Sequence, residues 1–188
     1  MIRAFIAVTL AAPVVEEIAK VRAALLAAKG DVRWTRIEGL HLTLKFLGDI
    51  ARNQIEPILA ALREALGEQP PLQVRAQGLG AFPNLRRPRV VWVGLTGEGL
   101  KELSETVETA LMPLDFPPGE REFMPHLTLG RVRSLRGWER VLAVVKEYEQ
   151  TNFGESRVEQ VTLYQSELRP DGAVYSPLGS IPLGNSSL

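Results

Sequence analysis

The residues best suited to chemistry in this chain are its two histidines, the only two among 188 residues. Each one begins a copy of the same tetrapeptide, His-Leu-Thr-Leu, at His41–Leu44 and again at His126–Leu129. The two copies start 85 residues apart, which is close to half the length of the chain. A single His-x-Thr sequence carries little information, but a repeat that uses every histidine of the protein indicates a paired catalytic site.

Two imidazoles together with two hydroxyl groups suit reactions at a phosphodiester. The ordinary pKa of imidazole is about 6.5, so near neutral pH one ring can accept a proton while the other donates one. The neutral ring can take a proton from water, and the charged ring can protonate the departing alkoxide. Threonine hydroxyls can donate hydrogen bonds to the non-bridging phosphate oxygens. Because the two copies are locally alike, the residues alone do not say which histidine is the acid.

An extended backbone explains how each motif presents these groups together. Residues two apart on a strand share a face, so the histidine and threonine point one way and the leucines the other. In the first copy, strict alternation predicts a polar face that consists of His41, Thr43 and Lys45. The opposite, apolar face would consist of Leu40, Leu42, Leu44 and Phe46. In the second copy His126 and Thr128 share the polar face. Two lobes that each supply one such strand would surround a single cleft.

An arginine follows the second motif in a register that points away from this polar face. Strict alternation directs Arg131 toward the core, on the side of Leu127 and Leu129. A bulge or bend at Gly130 would reverse the alternation and turn the guanidinium into the cleft, where it would offset charge that develops on a phosphate. The role of Arg131 therefore depends on such an irregularity.

The composition excludes several other kinds of site. The chain has no cysteine, which excludes disulfides, thiolate catalysis and cysteine-based metal centres. Lys plus Arg and Asp plus Glu both number 22, which excludes a broadly cationic nucleic-acid coat but not a small basic site. Catalytic zinc takes about three protein ligands, so a metal site would need a carboxylate beside the two histidines. We predict a site that uses no metal and no cofactor.

Helix and strand patterns are mixed along the chain without a long linker, which favours an α+β fold. No stretch approaches about 20 apolar residues, so we expect no membrane-spanning helix and a cytoplasmic protein. The first residues resemble a short signal peptide, although a buried strand followed by a helix is favoured. We expect residues 1–188 to form one domain of two lobes. Strands are predicted at Arg3–Leu10, Leu40–Leu47, Leu72–Leu79, Arg89–Leu95, Phe123–Arg133, Arg157–Leu168 and Ala173–Leu178, and helices at Val14–Lys29, around Ile55–Leu66, at Glu98–Leu111 and at Trp138–Gln150.

The sequence resembles a known protein family. The paired motif is typical of the two-histidine (2H) phosphoesterase superfamily, and the flanking segments are similar to the LigT-like RNA 2′,3′-cyclic phosphodiesterases, once called 2′-5′ RNA ligases. The segments that carry the likeness are Arg3–Ala7, Val32–Trp34, Leu40–Gly48, Leu79–Pro83, Arg87–Trp92, Pro125–Arg131 and Leu163–Leu168, with Gly172 and Tyr175. The resemblance implies two mainly antiparallel sheets around a central cleft, with pseudo-twofold symmetry and helices outside.

The resemblance also implies an activity. It implies metal-independent hydrolysis of a terminal 2′,3′-cyclic phosphate of RNA to a 2′-phosphate, with His41 as proton donor to the leaving 3′ oxygen. His126 would be the proton acceptor that activates water, and Thr43, Thr128 and Arg131 would bind the phosphate. Reverse ligation to a 2′-5′ bond is accessible by microscopic reversibility. The expected partner is an RNA end or oligonucleotide with a 2′,3′-cyclic phosphate, and we expect a monomer.

Four residues outside the motifs are candidates for RNA contact. Phe5 and Trp34 are aromatic, and aromatic side chains more often pack in the core than stack on bases. RNA ends are nevertheless commonly bound by aromatic stacking, so either residue is a candidate for contact with a base. Arg86 and Arg87 lie in a Pro-rich loop that either is solvated or contacts the RNA backbone at the mouth of the cleft. Two other functions remain open: a phosphoesterase for a small cyclic phosphate or a 2′-5′-linked oligonucleotide, and a non-catalytic protein that binds RNA ends.

Overall fold

The structure of the protein, a computed structural model, describes residues 1–184. Helices and strands are mixed along this part of the chain, as the sequence predicts. In chain order the elements are β1 (Ile2–Val8), α1 (Ala12–Ala27), β2 (Val32–Trp34), β3 (Leu42–Ile50), α2 (Ile55–Leu66), β4 (Leu72–Phe82), β5 (Val90–Thr96), α3 (Leu100–Leu111), β6 (His126–Val132), α4 (Trp138–Glu147), β7 (Asn152–Val158), β8 (Gln160–Arg169) and β9 (Gly172–Pro182). Three single-turn 3-10 helices lie at Ile37–Gly39, Arg52–Gln54 and Met112–Leu114.

The strands form two antiparallel sheets, which confirms the predicted α+β class. The first sheet has the order β3-β1-β8-β9, and the second has the order β2-β6-β5-β4-β7. The first sheet therefore combines strands from both ends of the chain, while the second uses its middle and β2. The order β3-β1-β8-β9 corresponds to the order β6-β5-β4-β7, so the two motif strands occupy matching positions.

The segment predicted as one strand at Arg157–Leu168 is divided between the two sheets. Strand β7 ends at Val158 in the second sheet, and β8 begins at Gln160 in the first. The division falls at two consecutive exposed residues, Glu159 and Gln160, between the buried Val158 and Val161. The sequence prediction was wrong here because both halves have high strand propensity, and only this break in alternation marks the crossing.

Each sheet is covered by a pair of helices on one face. Helices α2 and α3 contact each other and pack against β9 and β3, and α1 and α4 contact each other and pack against β7 and β4. In α1 the buried residues are Val14, Ile18, Val21 and Leu25, one stripe at helical spacing. Burial of each such side chain contributes about 1.5–3 kcal/mol before entropy is subtracted. None of the helices within residues 1–184 is long and apolar enough to cross a membrane.

Candidate active site

A β-bulge lies at the last leucine of both motifs and decides which side chains reach the cleft. In β3 the register with β1 slips at Leu44, and in β6 the register with β5 slips at Leu129. A bulge inserts one extra residue into a strand, so the residues that follow it exchange faces. The two copies of the motif thus share a backbone irregularity as well as a sequence.

The bulge at Leu44 overturns the predicted placement of the next two residues. Lys45, predicted beside His41, instead turns to the helix side of the sheet, where 5% of its side chain is exposed. Its Nζ donates hydrogen bonds to the Glu108 carboxylate on α3 and to the Pro117 carbonyl at 2.7 Å. Phe46, predicted in the core, turns toward the cleft and is 53% exposed.

The matching bulge in β6 brings Arg131 to the cleft. The irregularity that its role requires is present, at Leu129 rather than at Gly130. The Arg131 guanidinium lines the cleft beside Tyr175, and its charge opposes the rise that burial causes in the pKa of Tyr175. Gly130 allows β2 to pair at this point, because a Cβ there would lie 2.6 Å from the Trp34 ring.

A cleft of about 330 Å³ receives side chains from both sheets. Strands β3 and β6 approach to within 8 Å between Cα atoms, so their polar faces meet there. Both motif threonines line the cleft together with His41 and Arg131, and the predicted Phe5 and Trp34 line it as well. The wall of the cleft also contains side chains that were not predicted as catalytic or phosphate-binding residues, among them Arg3, Arg33, Arg36, Phe46, Ser166 and Tyr175.

The two histidines are held by identical hydrogen bonds. The Nδ1 atom of His41 lies 2.7 Å from the Gly39 carbonyl, and the Nδ1 atom of His126 lies 2.6 Å from the Met124 carbonyl. A carbonyl oxygen only accepts, so in each ring Nδ1 carries the hydrogen. The Nε2 atom of each ring is then left to accept or deliver a proton, which is the tautomer that acid–base catalysis needs.

The surroundings of the two imidazoles differ. The His41 ring packs against Phe5, with ring centroids 4.7 Å apart, and meets the Tyr175 ring edge-on at 5.0 Å. Burial lowers the pKa of His41, the hydrogen bond to the Gly39 carbonyl opposes that shift, and the charge of His126 lowers the pKa further. The two histidines are therefore close enough to interact electrostatically.

His126 occupies the edge of this arrangement. It stands two residues before Thr128 on β6, but its side chain is not part of the wall of the 330 Å³ cleft. Its ring meets the Phe82 ring edge-on, with centroids 4.9 Å apart. The cleft therefore contains the predicted phosphate-binding groups and His41, while His126 lies on the second sheet outside its wall.

The structure separates Arg86 and Arg87 from the cleft. Both line a different cavity of about 830 Å³ beside β4. Neither arginine lines the wall of the cleft that contains His41, so contact of this loop with RNA stays a prediction. Within residues 1–184, no three His, Asp or Glu side chains cluster closely enough to hold a metal ion.

A known protein family matches each half of the chain separately. A family profile described as "LigT like Phosphoesterase" matches residues 8–92 and again residues 93–175, and each matched segment contains one His-Leu-Thr-Leu motif. The chain belongs to this family. Membership in the LigT-like phosphoesterases confirms the resemblance on which the sequence analysis drew.

Relatives of this LigT-like chain are similar along nearly its whole length. A protein of Methanothermobacter thermautotrophicus named RNA 2′,3′-cyclic phosphodiesterase is 33% identical over 178 residues, 94% of this chain and 96% of that one. A protein of Archaeoglobus fulgidus with the same name is 36% identical over 177 residues, 94% of this chain and 97% of that one. The crystal structure of E. coli LigT complexed with 3′-AMP has a TM-score of 0.75 and 26% identity, and the match covers 97% of this chain and 98% of that one.

Proposed function

We propose that the protein is an RNA 2′,3′-cyclic phosphodiesterase that hydrolyses a terminal 2′,3′-cyclic phosphate to a 2′-phosphate. The observation that carries this proposal is the matched pair of histidines, each with Nδ1 bound to a carbonyl and Nε2 left for proton transfer. The relatives named RNA 2′,3′-cyclic phosphodiesterase support the choice of substrate. An RNA end is therefore the expected partner.

The cleft suggests how the phosphate is held during the reaction. Thr43 and Thr128 come from different sheets and line the same cleft, so a phosphate between them would accept a hydrogen bond from each. Arg131 would pair with a non-bridging oxygen and offset the charge that grows there. Because the three side chains belong to one chain, we expect a monomer to be active.

The family resemblance supplies the two roles that the residues alone leave open. His126 takes a proton from water, the water oxygen attacks phosphorus, the bond from phosphorus to the 3′ oxygen breaks, and His41 gives that oxygen a proton. Each positioned acid or base of this kind contributes about 10²–10⁴-fold to the rate. In the free protein burial lowers the pKa of His41, and an anionic phosphate in the cleft acts in the opposite direction.

The proposal includes the organisation and location of the enzyme. The proposed organisation is one domain of two lobes, and it is supported by the first sheet, which takes strands from both ends of the chain. The relatives match over more than nine-tenths of their length, which fits a unit of this size. A chain without cysteine fits the reducing cytoplasm.

The test is incubation with an oligoribonucleotide that ends in a 2′,3′-cyclic phosphate, followed by chromatographic identification of the monoester. We expect a 2′-phosphate, and a 3′-phosphate would contradict the assigned leaving group. His41→Ala and His126→Ala should each lower turnover by about 10²–10⁴-fold while RNA binding survives. The exposed Lys101→Ala serves as the control and should keep full activity.

The same experiment separates the alternatives. Binding of the RNA end without turnover by the wild-type protein would identify a non-catalytic binding protein. Turnover of nucleoside 2′,3′-cyclic phosphates but not of oligonucleotides would identify an enzyme for small cyclic phosphates. Either result would overturn the proposed function.

A further inference from the structure

Three rings from separate parts of the chain pack against one another, and the His41 imidazole is one of them. The His41 ring lies 4.7 Å from the Phe5 ring and 5.0 Å from the Tyr175 ring, centroid to centroid. The rings of Phe5 and Tyr175 lie 5.1 Å apart, so each ring contacts the other two. Tyr175 meets both neighbours edge-on, at 85° to His41 and 80° to Phe5. We call Phe5 and Tyr175 the aromatic pocket of His41.

Tyr175 also packs against the turn that holds the imidazole. The Gly39 carbonyl binds Nδ1 of His41, and a Cβ on Gly39 would lie 3.0 Å from the Tyr175 ring. Because glycine has no side chain, the ring lies directly against this turn. On β9 Tyr175 pairs with Ser166 of β8, and both side chains line the cleft. Tyr175 therefore contacts the imidazole and the turn to which the imidazole is bound.

The second motif has no matching pocket among residues 1–184. One aromatic ring, that of Phe82, contacts His126 there. The hydrogen bonds that hold the two imidazoles are the same, so the surrounding rings are where the two histidines differ. The enclosed histidine is the one to which the proposed function gives the role of acid.

Enclosure by rings has two physical consequences for His41. Phe5 is 2% exposed, so it acts on the reaction through His41, and with Tyr175 it limits rotation of the imidazole. The rings also keep water from the imidazole, and burial is the main cause that lowers the pKa of His41. An imidazolium with a lowered pKa is a stronger acid, and it gives its proton to a leaving oxygen more readily.

We propose that Tyr175 is a positioning residue for His41, whose ring completes the aromatic pocket and keeps the imidazole oriented for proton transfer to the leaving oxygen. The inference rests on the proposed function, in which His41 is the acid. The ring of Tyr175 performs this role, and its hydroxyl group does not.

The charges around His41 stay in place when Tyr175 is replaced. Among them, the charge of His126 lowers the pKa of His41. Burial raises the pKa of the Tyr175 phenol, so this group is neutral at the pH where an imidazole titrates. Replacement of Tyr175 therefore removes a ring and no charge. The charged or titratable side chains that share the wall of the cleft with His41 are Arg3, Arg33, Arg36, Arg131, Asp171 and Tyr175.

The kinetic test removes the ring in Tyr175→Leu and keeps it in Tyr175→Phe. For Tyr175→Leu we expect kcat for a nucleoside 2′,3′-cyclic phosphate to fall about tenfold or more, because the imidazole is no longer held toward the leaving oxygen. KM should stay within about twofold of wild type, since the phosphate-binding side chains are unchanged. Tyr175→Phe should keep kcat within about twofold. The matched control is Tyr148→Leu, which removes the same kind of side chain at the end of α4 and should keep wild-type kcat.

Proton NMR titration of the free protein gives a measurement that needs no substrate. The chain contains two histidines, so His126→Ala assigns the His41 signal. In Tyr175→Leu water reaches the imidazole, and the pKa of His41 should rise toward its ordinary value of about 6.5. The alkaline limb of kcat/KM should move to higher pH with it. Tyr175→Phe should titrate as the wild type does, and Tyr175→Met, which also lacks a ring, replaces Tyr175→Leu if that variant does not fold.

Three results would overturn the proposal. The first is an unchanged pKa of His41 in the variants without the ring. The second is a loss of kcat in Tyr175→Phe equal to that in Tyr175→Leu, because the hydroxyl would then be the group that acts. The third is a raised KM with unchanged kcat in Tyr175→Leu, because Tyr175 would then contact the substrate itself. Failure of the wild type to hydrolyse any cyclic phosphate would instead refute the proposed function, and the NMR titration would show separately whether Tyr175 encloses His41.

Discussion

Replacing Lys45 with methionine should lower the free energy of unfolding by about 2–4 kcal/mol. Removal of one partner from a buried ion pair costs about 3–5 kcal/mol, because the other charge is left without compensation. Lys45 is buried, but 23% of the Glu108 side chain is exposed, so water offsets part of that cost. The Pro117 carbonyl also loses its charged donor. Methionine keeps much of the length of lysine, so a cavity adds little.

Urea denaturation followed by tryptophan fluorescence measures this effect. Lys101→Met is the matched control, because Lys101 is 71% exposed and its contact to Glu105 on α3 is a surface pair. That control should change the free energy of unfolding by less than about 1 kcal/mol. The double variant Lys45→Met with Glu108→Leu should recover stability relative to Lys45→Met alone, since no carboxylate is then left without its partner. Equal effects of Lys45→Met and Lys101→Met would refute the reasoning.

Three further predictions concern the reaction itself. Thr43→Val and Thr128→Val keep the shape of each side chain, and each should lower kcat/KM for a cyclic phosphate by about 10- to 100-fold through loss of one hydrogen bond; a change within twofold in initial rates would contradict phosphate binding. The acid His41 is active when protonated, and its pKa is lowered in the free protein. The alkaline limb of kcat/KM, which reports the free enzyme, should therefore lie at lower pH than that of kcat, which reports the anionic complex; coincident limbs would contradict this. Hydrolysis should continue in excess EDTA, and loss of activity that zinc restores would point to a metal site.

The sequence predicted the polar faces of the two motifs because alternation along a strand is a local property. His41 and Thr43 share a face for the same reason that His126 and Thr128 do, and no knowledge of neighbouring strands is needed. The bulges could not be predicted in the same way. A bulge is a mismatch between two paired strands, so the exchange of faces by Lys45 depends on the register with β1.

The assignment of strands to sheets also could not be predicted from the local sequence pattern. The exchange of sheets at Glu159 joins the last strands of the chain to the first, a contact between residues far apart in sequence. The position of Arg86 and Arg87 depends on where the turn between β4 and β5 lies, which no property of that loop reveals. The composition of the loop did indicate a basic surface, and in the structure both arginines line the cavity of about 830 Å³ beside β4.

The pH dependence of kcat/KM for His41→Ala and His126→Ala, beside the wild type, tests the central claim most directly. The claim is that two imidazoles act on one phosphorus centre, one as acid and one as base. The wild type should give a bell-shaped profile. His126→Ala should lose the acidic limb, because no base must then be deprotonated, and His41→Ala should lose the alkaline limb. Bell-shaped profiles in both variants, or rates close to that of the wild type, would contradict the account.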